Sequence, residues 1–529
     1  MSVEIAARHL LDGPPAAHPV AAAERLVAEM LREPAGQVTA SLYETGRLVS
    51  LSPWLTGHAE RVRYLLDQQH SGGGWGPPEG YGLVPTLSAT EALLTILRTS
   101  ATTEALSQAA EAGLRTLTSW LSAGWAIPDT PAIDLIVPAL IGSINDQLTG
   151  PDALPGLARW RNHRLPLPSG MDGRRLAAVR ALMASGGPVP EKLLHALEVV
   201  ADLVGDAVGV RPPPSGIVGA SPAATAAWLG SAEPAPAEHP SRAYLESVVA
   251  RHGGPVPCAT PITVFERAWV IGTLTRAGIT TPAPPDLVGP LTAGLGPHGI
   301  PAGPGLPPDA DTTSVTLYAL ARLGLPADPT SLLRFETAEG FCTWPGEDGF
   351  SVTTNAHVLD ALAQHLATRP DAAPHYHAAA QRLVVALQAH QLPDGSWQDR
   401  WHASPYYATM CCSLALAEFA AAAATESLDR AVAWTVSTQR DDGSWGRWEG
   451  TVEETAYAMQ TLAIAGRGVP SATGALSRGY AYLTAASAGQ PDGPALWHDK
   501  DLYHPTMIVN AAVFAAQHLA EQSGQRVGT

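Results

Sequence analysis

Apolar positions along this chain recur at helical rather than strand-like spacing. Val315-Thr316-Leu317-Tyr318-Ala319-Leu320-Ala321-Arg322-Leu323 reads as an apolar helix, and another starts at Thr86. Residues 1–35 are rich in Ala and Leu with a helical pattern, and Phe265-Glu266-Arg267-Ala268-Trp269-Val270 lies in a further helix. Ala and Leu dominate while β-branched runs are scarce, which predicts an all-α protein with a large buried fraction. Pro/Gly/Ala-rich connections separate the helical stretches at 165–190 and 205–240. A Pro-rich stretch from Thr281 to Pro290 predicts a domain boundary.

The helices are punctuated by tryptophans beside Gly-rich turns. In the C-terminal half these are Trp344, Trp397, Trp445 and Trp497, at intervals of 53, 48 and 52 residues. Two copies are close: Gln391-Leu392-Pro393-Asp394-Gly395-Ser396-Trp397 and Gln439-Arg440-Asp441-Asp442-Gly443-Ser444-Trp445. The N-terminal half has a loop, Gln68-Gln69-His70-Ser71-Gly72-Gly73-Gly74-Trp75-Gly76, and a second Gly-Trp pair at Gly124-Trp125, 50 residues after Trp75. A period near 50 predicts one helical hairpin per repeat, each stacked on its neighbours. Gly permits the tight turn, Asp closes it, and Trp plugs the gap between hairpins. Such hairpins can close into an α/α barrel with a central cavity, stapled rather than catalysed by these motifs.

Composition narrows the function. At 529 residues the chain is too long for one core. A formal net charge of −17 argues against nucleic acid as a partner. No apolar run reaches the length of a membrane span, and Met1-Ser2-Val3-Glu4-Ile5 does not read as a signal peptide. Cys258, Cys342, Cys411 and Cys412 show no metal-ligand spacing and are too few for a disulfide framework, so a reduced, cytoplasmic protein is expected. The sequence leaves a homo-oligomer open.

The chemistry centres on Pro307-Pro308-Asp309-Ala310-Asp311-Thr312-Thr313-Ser314, between a Gly/Pro-rich loop and an apolar helix. Two carboxylates two residues apart stand at a helix N-terminus. Asp and Thr are ordinary caps there, because their oxygens accept from free backbone N–H groups. The alternative is a general acid.

Motifs along nearly the whole chain favour the acid. The repeated Gln-x-x-Asp-Gly-Ser-Trp pattern resembles the QW motifs of the terpene cyclases that include squalene-hopene cyclase. Asp309-Ala310-Asp311-Thr312-Thr313 resembles their Asp-x-Asp-Asp motif. Leu83 to Glu91, Asn355 to Leu359, Trp401 to Tyr407, Glu453 to Tyr457 and Trp497 to Tyr503 resemble segments of bacterial class II terpene cyclases, in order. The resemblance implies two α/α barrels, β and γ, with the active site between them. The N-terminal helix of β would span 1–29, γ 30–285 and the rest of β 286–529. No Asp-Asp-x-x-Asp motif is found, and the length leaves no room for a third domain, so the product should keep its diphosphate.

In that family the middle Asp protonates the terminal alkene of a linear isoprenoid diphosphate. Here that is Asp311, with Asp309 and Thr312 orienting and tuning it. An alkene is a very poor base, so the acid must be strong and held in a dry pocket. Thr312 stands where the family pattern has a third Asp. This variant resembles bacterial drimenyl diphosphate synthases, which points to farnesyl diphosphate as substrate. The alternative is geranylgeranyl diphosphate going to a labdane-type, copalyl, diphosphate. Aromatic faces stabilise a cation, and Trp344, Trp401 and Tyr406 are the candidates carried forward. Tyr407 and Trp448 are further aromatic candidates. Asn355, His357 and His402, or a water they hold, are candidates for accepting the final proton. Lys500, one of very few lysines, is the first choice for the diphosphate and Arg47 the second. The resemblance also implies Mg²⁺ near an acidic site in γ, with Asp129 and Asp134 as candidate ligands that could equally cap the following helix.

Two other classes explain less. A glycoside hydrolase needs a second carboxylate across a sugar cleft, for which the repeats and Lys500 give no reason. A non-catalytic helical scaffold leaves the carboxylate pair unexplained. A zinc prenyltransferase needs Asp/Cys/His ligands, and Cys411-Cys412 lacks the spacing.

Overall fold

The computed structural model describes residues 19–99, 103–149, 154–204, 210, 212–230, 235–280, 282–369, 371–486 and 493–527. The Met1–Ile5 start, parts of the 205–240 connection and Thr281 lie outside the described residues.

The second half of the chain is an α/α barrel. Helices Thr263–Arg276, Ala310–Arg322, Val352–Thr368, Pro405–Phe419, Val452–Ile464 and Thr506–Val527 pack side by side in that order, and the last returns to the first. Pro285–Gly294, Pro329–Phe335, Pro374–Ala389, Thr425–Ser437 and Pro470–Ala486 form an outer layer. Helix Pro19–Arg32 completes that layer against Thr506–Val527, so an N-terminal helix does belong to this barrel. Ring helices are buried on nearly every face: Glu453 through Ala463 are all buried. A helix buried all round must be apolar or small-sided, which explains the weak amphipathic signal in these segments. The ring starts are capped by side-chain oxygens: Ser351 accepts from Thr354 N, Ser404 from Tyr406 N and Thr451 from Glu454 N, at 3.1, 3.2 and 3.0 Å.

The first half forms a smaller ring of Leu42–Leu51, Leu83–Thr99, Ile133–Leu148, the 3₁₀ segment Glu191–Val200 and Pro222–Leu229. His58–Asp67, Glu104–Ala123, Arg174–Ala184 and Pro240–His252 pack outside it.

The Trp turns share one geometry. The Trp397 indole N–H donates to Leu387 O at 2.8 Å, and its backbone N–H to Thr409 Oγ1 at 3.0 Å. Trp445 does the same with Thr435 O and Thr455 Oγ1, at 2.7 and 3.0 Å. So does Trp75 of the first barrel, with Leu65 O and Thr86 Oγ1, at 2.6 and 2.9 Å. Each Trp therefore ties the end of one outer helix to the start of the next ring helix. Gln391, Gln439 and Gln69 each bridge the turn Gly carbonyl to the next outer helix. Gly395 sits at φ +98°, and a Cβ there would come within 2.5 Å of Arg430 O, so only Gly fits.

One boundary moves. Thr263–Arg276, assigned above to γ, is a ring helix of the second barrel, with Trp269, Ile271 and Leu274 in its core. The Pro-rich 281–290 stretch is a connection inside that barrel, and the crossing between barrels falls in the Gly/Pro-containing segment 253–262.

Replacing Trp397 by Phe keeps most of the plug but leaves Leu387 O without its donor. The expected cost is about 1–3 kcal/mol, read as a lowered midpoint in urea. Trp397→Ala should cost about 3–5 kcal/mol.

Candidate active site

Asp309 and Asp311 divide the two readings of their motif between them. Asp309 is the N-cap of Ala310–Arg322, its Oδ1 accepting from Thr312 N at 2.6 Å. It is 4% exposed. Burial drives its carboxyl pKa up to about 7; the Thr312 N–H pulls the other way, and the neighbouring Asp311 charge adds to the rise. Ala310 N donates to Thr343 O at 3.0 Å and Thr313 Oγ1 accepts from Ile300 N at 3.0 Å, which holds the Gly/Pro loop over the helix start. Asp311, in the first helical turn, instead reaches His357 on the adjacent ring helix. Oδ1 and Nδ1 are 2.7 Å apart. Burial disfavours an imidazolium, but the Asp311 carboxylate outweighs it and raises the His357 pKa well above its ordinary value. His357 is thus committed to Asp311, and the Cys411 thiol is a further neighbour. It is not free to take the final proton.

An aromatic wall starts at this pair. The Trp269 ring meets His357 edge-on at 5.6 Å, and its indole N–H donates to Tyr407 Oη at 2.9 Å, across the ring of helices. Tyr407 packs on Trp497 at 4.8 Å, Tyr457 at 5.1 Å and His402 at 4.5 Å. Phe265 packs on Trp269 at 4.3 Å and Trp497 at 5.6 Å. These faces can stabilise a cation without quenching it. Trp269, Tyr457, Trp497 and Phe265 were not singled out for this role from the sequence. The signal lay in the motif segments, since Tyr457 and Trp497 sit inside them, whereas Trp269 was hidden by the misplaced boundary.

Other expected residues take different places. Trp344 and Trp401 pack edge-to-face at 5.2 Å, and Trp401 Nε1 donates to Thr343 Oγ1 at 3.2 Å, beside the carbonyl that anchors Ala310. Tyr406 points outward onto Trp434, at 4.7 Å, and leaves the wall to Tyr407. Asn355 is spent on backbone, bonding Phe341 N, Phe341 O and Ser351 O at 2.8–2.9 Å. Both His402 nitrogens are occupied, by Ser404 N and Glu453 Oε1, at 3.0 and 3.1 Å. Burial opposes ionisation of Glu453, but hydrogen bonds from His402 and His504 overcome it and hold the carboxyl down at about 2. Neither Asn355 nor His402 is placed to accept a proton from substrate.

Lys500 is no diphosphate ligand here. It is fully buried, and its ammonium is committed to His195 O at 2.7 Å, Ser221 Oγ at 2.8 Å, Glu198 Oε1 at 2.9 Å and Glu44. All four partners lie in the first barrel, while Lys500 sits on the turn between strands Trp497–His498 and Leu502–Tyr503. Flanking Asp499 bonds His195 at 2.7 Å, and Asp501 accepts from Ser41 Oγ and Tyr43 N at 2.7 and 2.9 Å. The turn fastens the barrels together. Arg47 is buried inside the first ring, paired with Glu91 and donating to Ser88 Oγ at 3.1 Å.

The expected Mg²⁺ ligands each have an ion-pair partner. Asp129 pairs with Arg400 at 2.7 Å and Asp134 with Arg175 at 2.9 Å, so each carboxylate is already neutralised by a separate guanidinium. Among the described residues, no cluster of three or more His, Cys, Asp or Glu side chains is arranged to hold a metal. Nor is any helix among them long and apolar enough to cross a membrane.

A carboxylate pair at the start of a ring helix, beside an aromatic wall in a double α/α barrel, fits a cyclase that works by protonation. Comparison with known proteins agrees. The squalene-hopene cyclase C-terminal domain matches residues 347–500. An ent-copalyl diphosphate synthase of Streptomyces sp. (strain KO-3988) is 42% identical over 95% of this chain and 97% of its own length. A labda-7,13-dienyl diphosphate synthase of Streptomyces clavuligerus is 41% identical over 94% of this chain and 92% of its own. The structure of ent-copalyl diphosphate synthase from Streptomyces platensis superposes with a TM-score of 0.90 at 46% identity, covering 95% of this chain and 99% of that one. The chain belongs to the class II terpene cyclases.

Lys500→Met keeps length and removes charge, leaving Glu44 and Glu198 buried without their cation. The expected loss is about 3–5 kcal/mol of stability, measured by denaturant unfolding. An unchanged unfolding midpoint with a raised KM would restore Lys500 as a substrate ligand.

The buried carboxyls of Asp309, Glu44, Glu266 and Glu454 are each pushed up to about 7, burial being the first cause in every case. The folded chain therefore holds protons that the unfolded chain has released, and stability falls as these groups ionise. His357 and His195, both raised, act in the same direction. The melting temperature is expected to drop between about pH 7 and about pH 8. A rise over that interval would contradict the assignment of these groups as protonated in the fold.

Proposed function

We propose that this chain is a class II diterpene cyclase. On this reading it protonates the terminal alkene of geranylgeranyl diphosphate and closes it to a labdane-type bicyclic diphosphate of the copalyl class, with the diphosphate retained. The observation that carries the reading is the 2.7 Å Asp311–His357 pair beside the aromatic wall. The imidazole bonded to Oδ1 holds the Asp311 carboxyl in one orientation. Burial pushes the Asp309 carboxyl up to about 7, so it carries less negative charge beside Asp311 than an ordinary carboxylate would. Trp269, Tyr407 and Trp497 then present ring faces as the positive charge moves along the chain.

The choice of chain length follows the relatives. Those at 40–42% identity over nearly the full length are copalyl and labda-7,13-dienyl diphosphate synthases, which make twenty-carbon skeletons. Thr312 had pointed to the fifteen-carbon farnesyl diphosphate. Yet its backbone N–H and side chain both serve Asp309. Position 312 therefore tunes the acid and does not measure substrate length, which supports setting the farnesyl reading aside.

The test is a pair of incubations, one with each diphosphate, followed by dephosphorylation and gas chromatography with mass spectrometry. A bicyclic twenty-carbon alcohol is expected. A drimane-type alcohol from farnesyl diphosphate alone would keep the chemistry and overturn the substrate, and no cyclic product from either would overturn both. Asp311→Asn should abolish the bicyclic product in a protein that still unfolds cooperatively.

A further inference from the structure

A charge stands behind the aromatic wall. Glu453, in the first turn of ring helix Val452–Ile464, is buried and turns one oxygen, Oε1, toward three rings. Trp497 Nε1 donates to it at 2.9 Å, Tyr457 Oη at 3.1 Å and His402 Nε2 at 3.1 Å. The His402 tautomer follows from its other nitrogen. The Ser404 backbone N–H can only donate, and it donates to Nδ1 at 3.0 Å, so Nε2 carries the hydrogen given to Glu453. His504 Nδ1 approaches the second oxygen, Oε2, at 3.4 Å. Packing alone does not ask for an ion here. A glutamine would offer the same three donors an acceptor oxygen without the cost of burying a charge. The carboxyl is nonetheless held down at about 2, against burial, by its hydrogen bonds from His402 and His504.

We infer that Glu453 is a positioning residue of the cyclisation, a fixed counter-charge to the carbocation that acts through the rings it holds and not on the substrate itself. The inference rests on the reading of the chain as a cyclase that begins by protonating an alkene. An N–H or O–H that donates to a carboxylate is polarised, and its ring gains electron density. The faces of Trp497 and Tyr457 are thereby richer than those of rings bonded to an uncharged acceptor, and a richer face holds a cation more strongly. Trp269, the ring that meets His357, donates instead to the Tyr407 hydroxyl at 2.9 Å. The carboxylate therefore enriches the rings on the other side of Tyr407 from the Asp311–His357 pair, and charge that appears at the acid is drawn along the wall. A bare carboxylate beside the cation would take its proton or bond to it. Glu453 is kept from both, because Oε1 already accepts from three donors and the rings stand around it. No bond to Glu453 forms or breaks in the reaction.

The test is Glu453→Gln, which keeps length and an acceptor oxygen and removes the charge. It is run beside the wild type with geranylgeranyl diphosphate, measuring kcat, KM and the dephosphorylated products. In a variant that still unfolds cooperatively, kcat should fall about tenfold while KM stays within about twofold. Part of the product should become monocyclic or hydroxylated, because a less stabilised cation loses its proton or meets water earlier. Trp497→Phe keeps a ring and removes the N–H, so in that background the further loss on Glu453→Gln should be several-fold smaller than in the wild type. A wild-type kcat and product profile in Glu453→Gln would overturn the inference, and so would a loss of kcat equal in both backgrounds. If Glu453→Gln does not fold, Tyr457→Phe and Trp497→Phe carry the test. A shift of either to early products supports the inference, and unchanged kcat and products in both overturn it. No cyclic product from the wild-type enzyme would instead overturn the cyclase reading on which the inference rests.

Discussion

The two barrels meet around one buried cation. Lys500 brings a single positive charge into a pocket that already holds Glu44 and Glu198, and the side chains of all three are buried. One ammonium can neutralise one carboxylate. Burial drives Glu44 up to about 7, against the pull of Lys500, so the second acid shares its site largely by holding a proton. Because the ammonium donors are directed at side chains and a carbonyl of the first barrel, the strand turn that carries Lys500 can dock in only one register. That register also fixes Trp497 and Tyr503, on the strands either side of the turn, and with them part of the aromatic wall. The geometry of the site is therefore set by a contact that makes no chemistry of its own.

A second constraint acts at the helix start. The first N–H groups of Ala310–Arg322 need an acceptor, and Asp309 supplies it. The cost is a buried carboxylate, which the fold lowers by leaving Asp309 close to neutral. Asp311 follows two residues later, where the first helical turn points it at the next ring helix and at His357. Asp309 and Asp311 are thus neighbours for a geometric reason: the cap fixes the turn that aims the Asp311 carboxyl at His357.

Much of this was legible in the sequence, and the failures have physical causes. The Gln…Gly-Ser-Trp turns announce their structure because Gly395 admits no other residue and Trp397 needs both of its partners. The Asp-x-Asp pair was legible because two carboxylates rarely sit together without charge to meet them. The domain boundary was misread because prolines mark the turn between two helices of one barrel as readily as a linker between two domains. Lys500 was misread because a rare lysine between two aspartates looks the same in sequence whether its partners are substrate oxygens or glutamates hundreds of residues away. Tyr406 and Tyr407 show the finest limit, since one step along a helix decides which ring faces the cavity and which packs outward on Trp434.

The site also has to keep water from a reacting chain while the barrel around it buries charges of its own. A carboxylic acid protonates an alkene only when water is kept from it, because water is the better base and would also intercept the cation. Phe265, Trp269 and Trp497 pack on one another beside the Asp311–His357 pair. The same barrel buries Asp360 against Arg276 at 2.6 Å. A ring of helices filled uniformly with leucine would avoid the desolvation cost of those charges, and it would offer neither an acid nor ring faces to a cation.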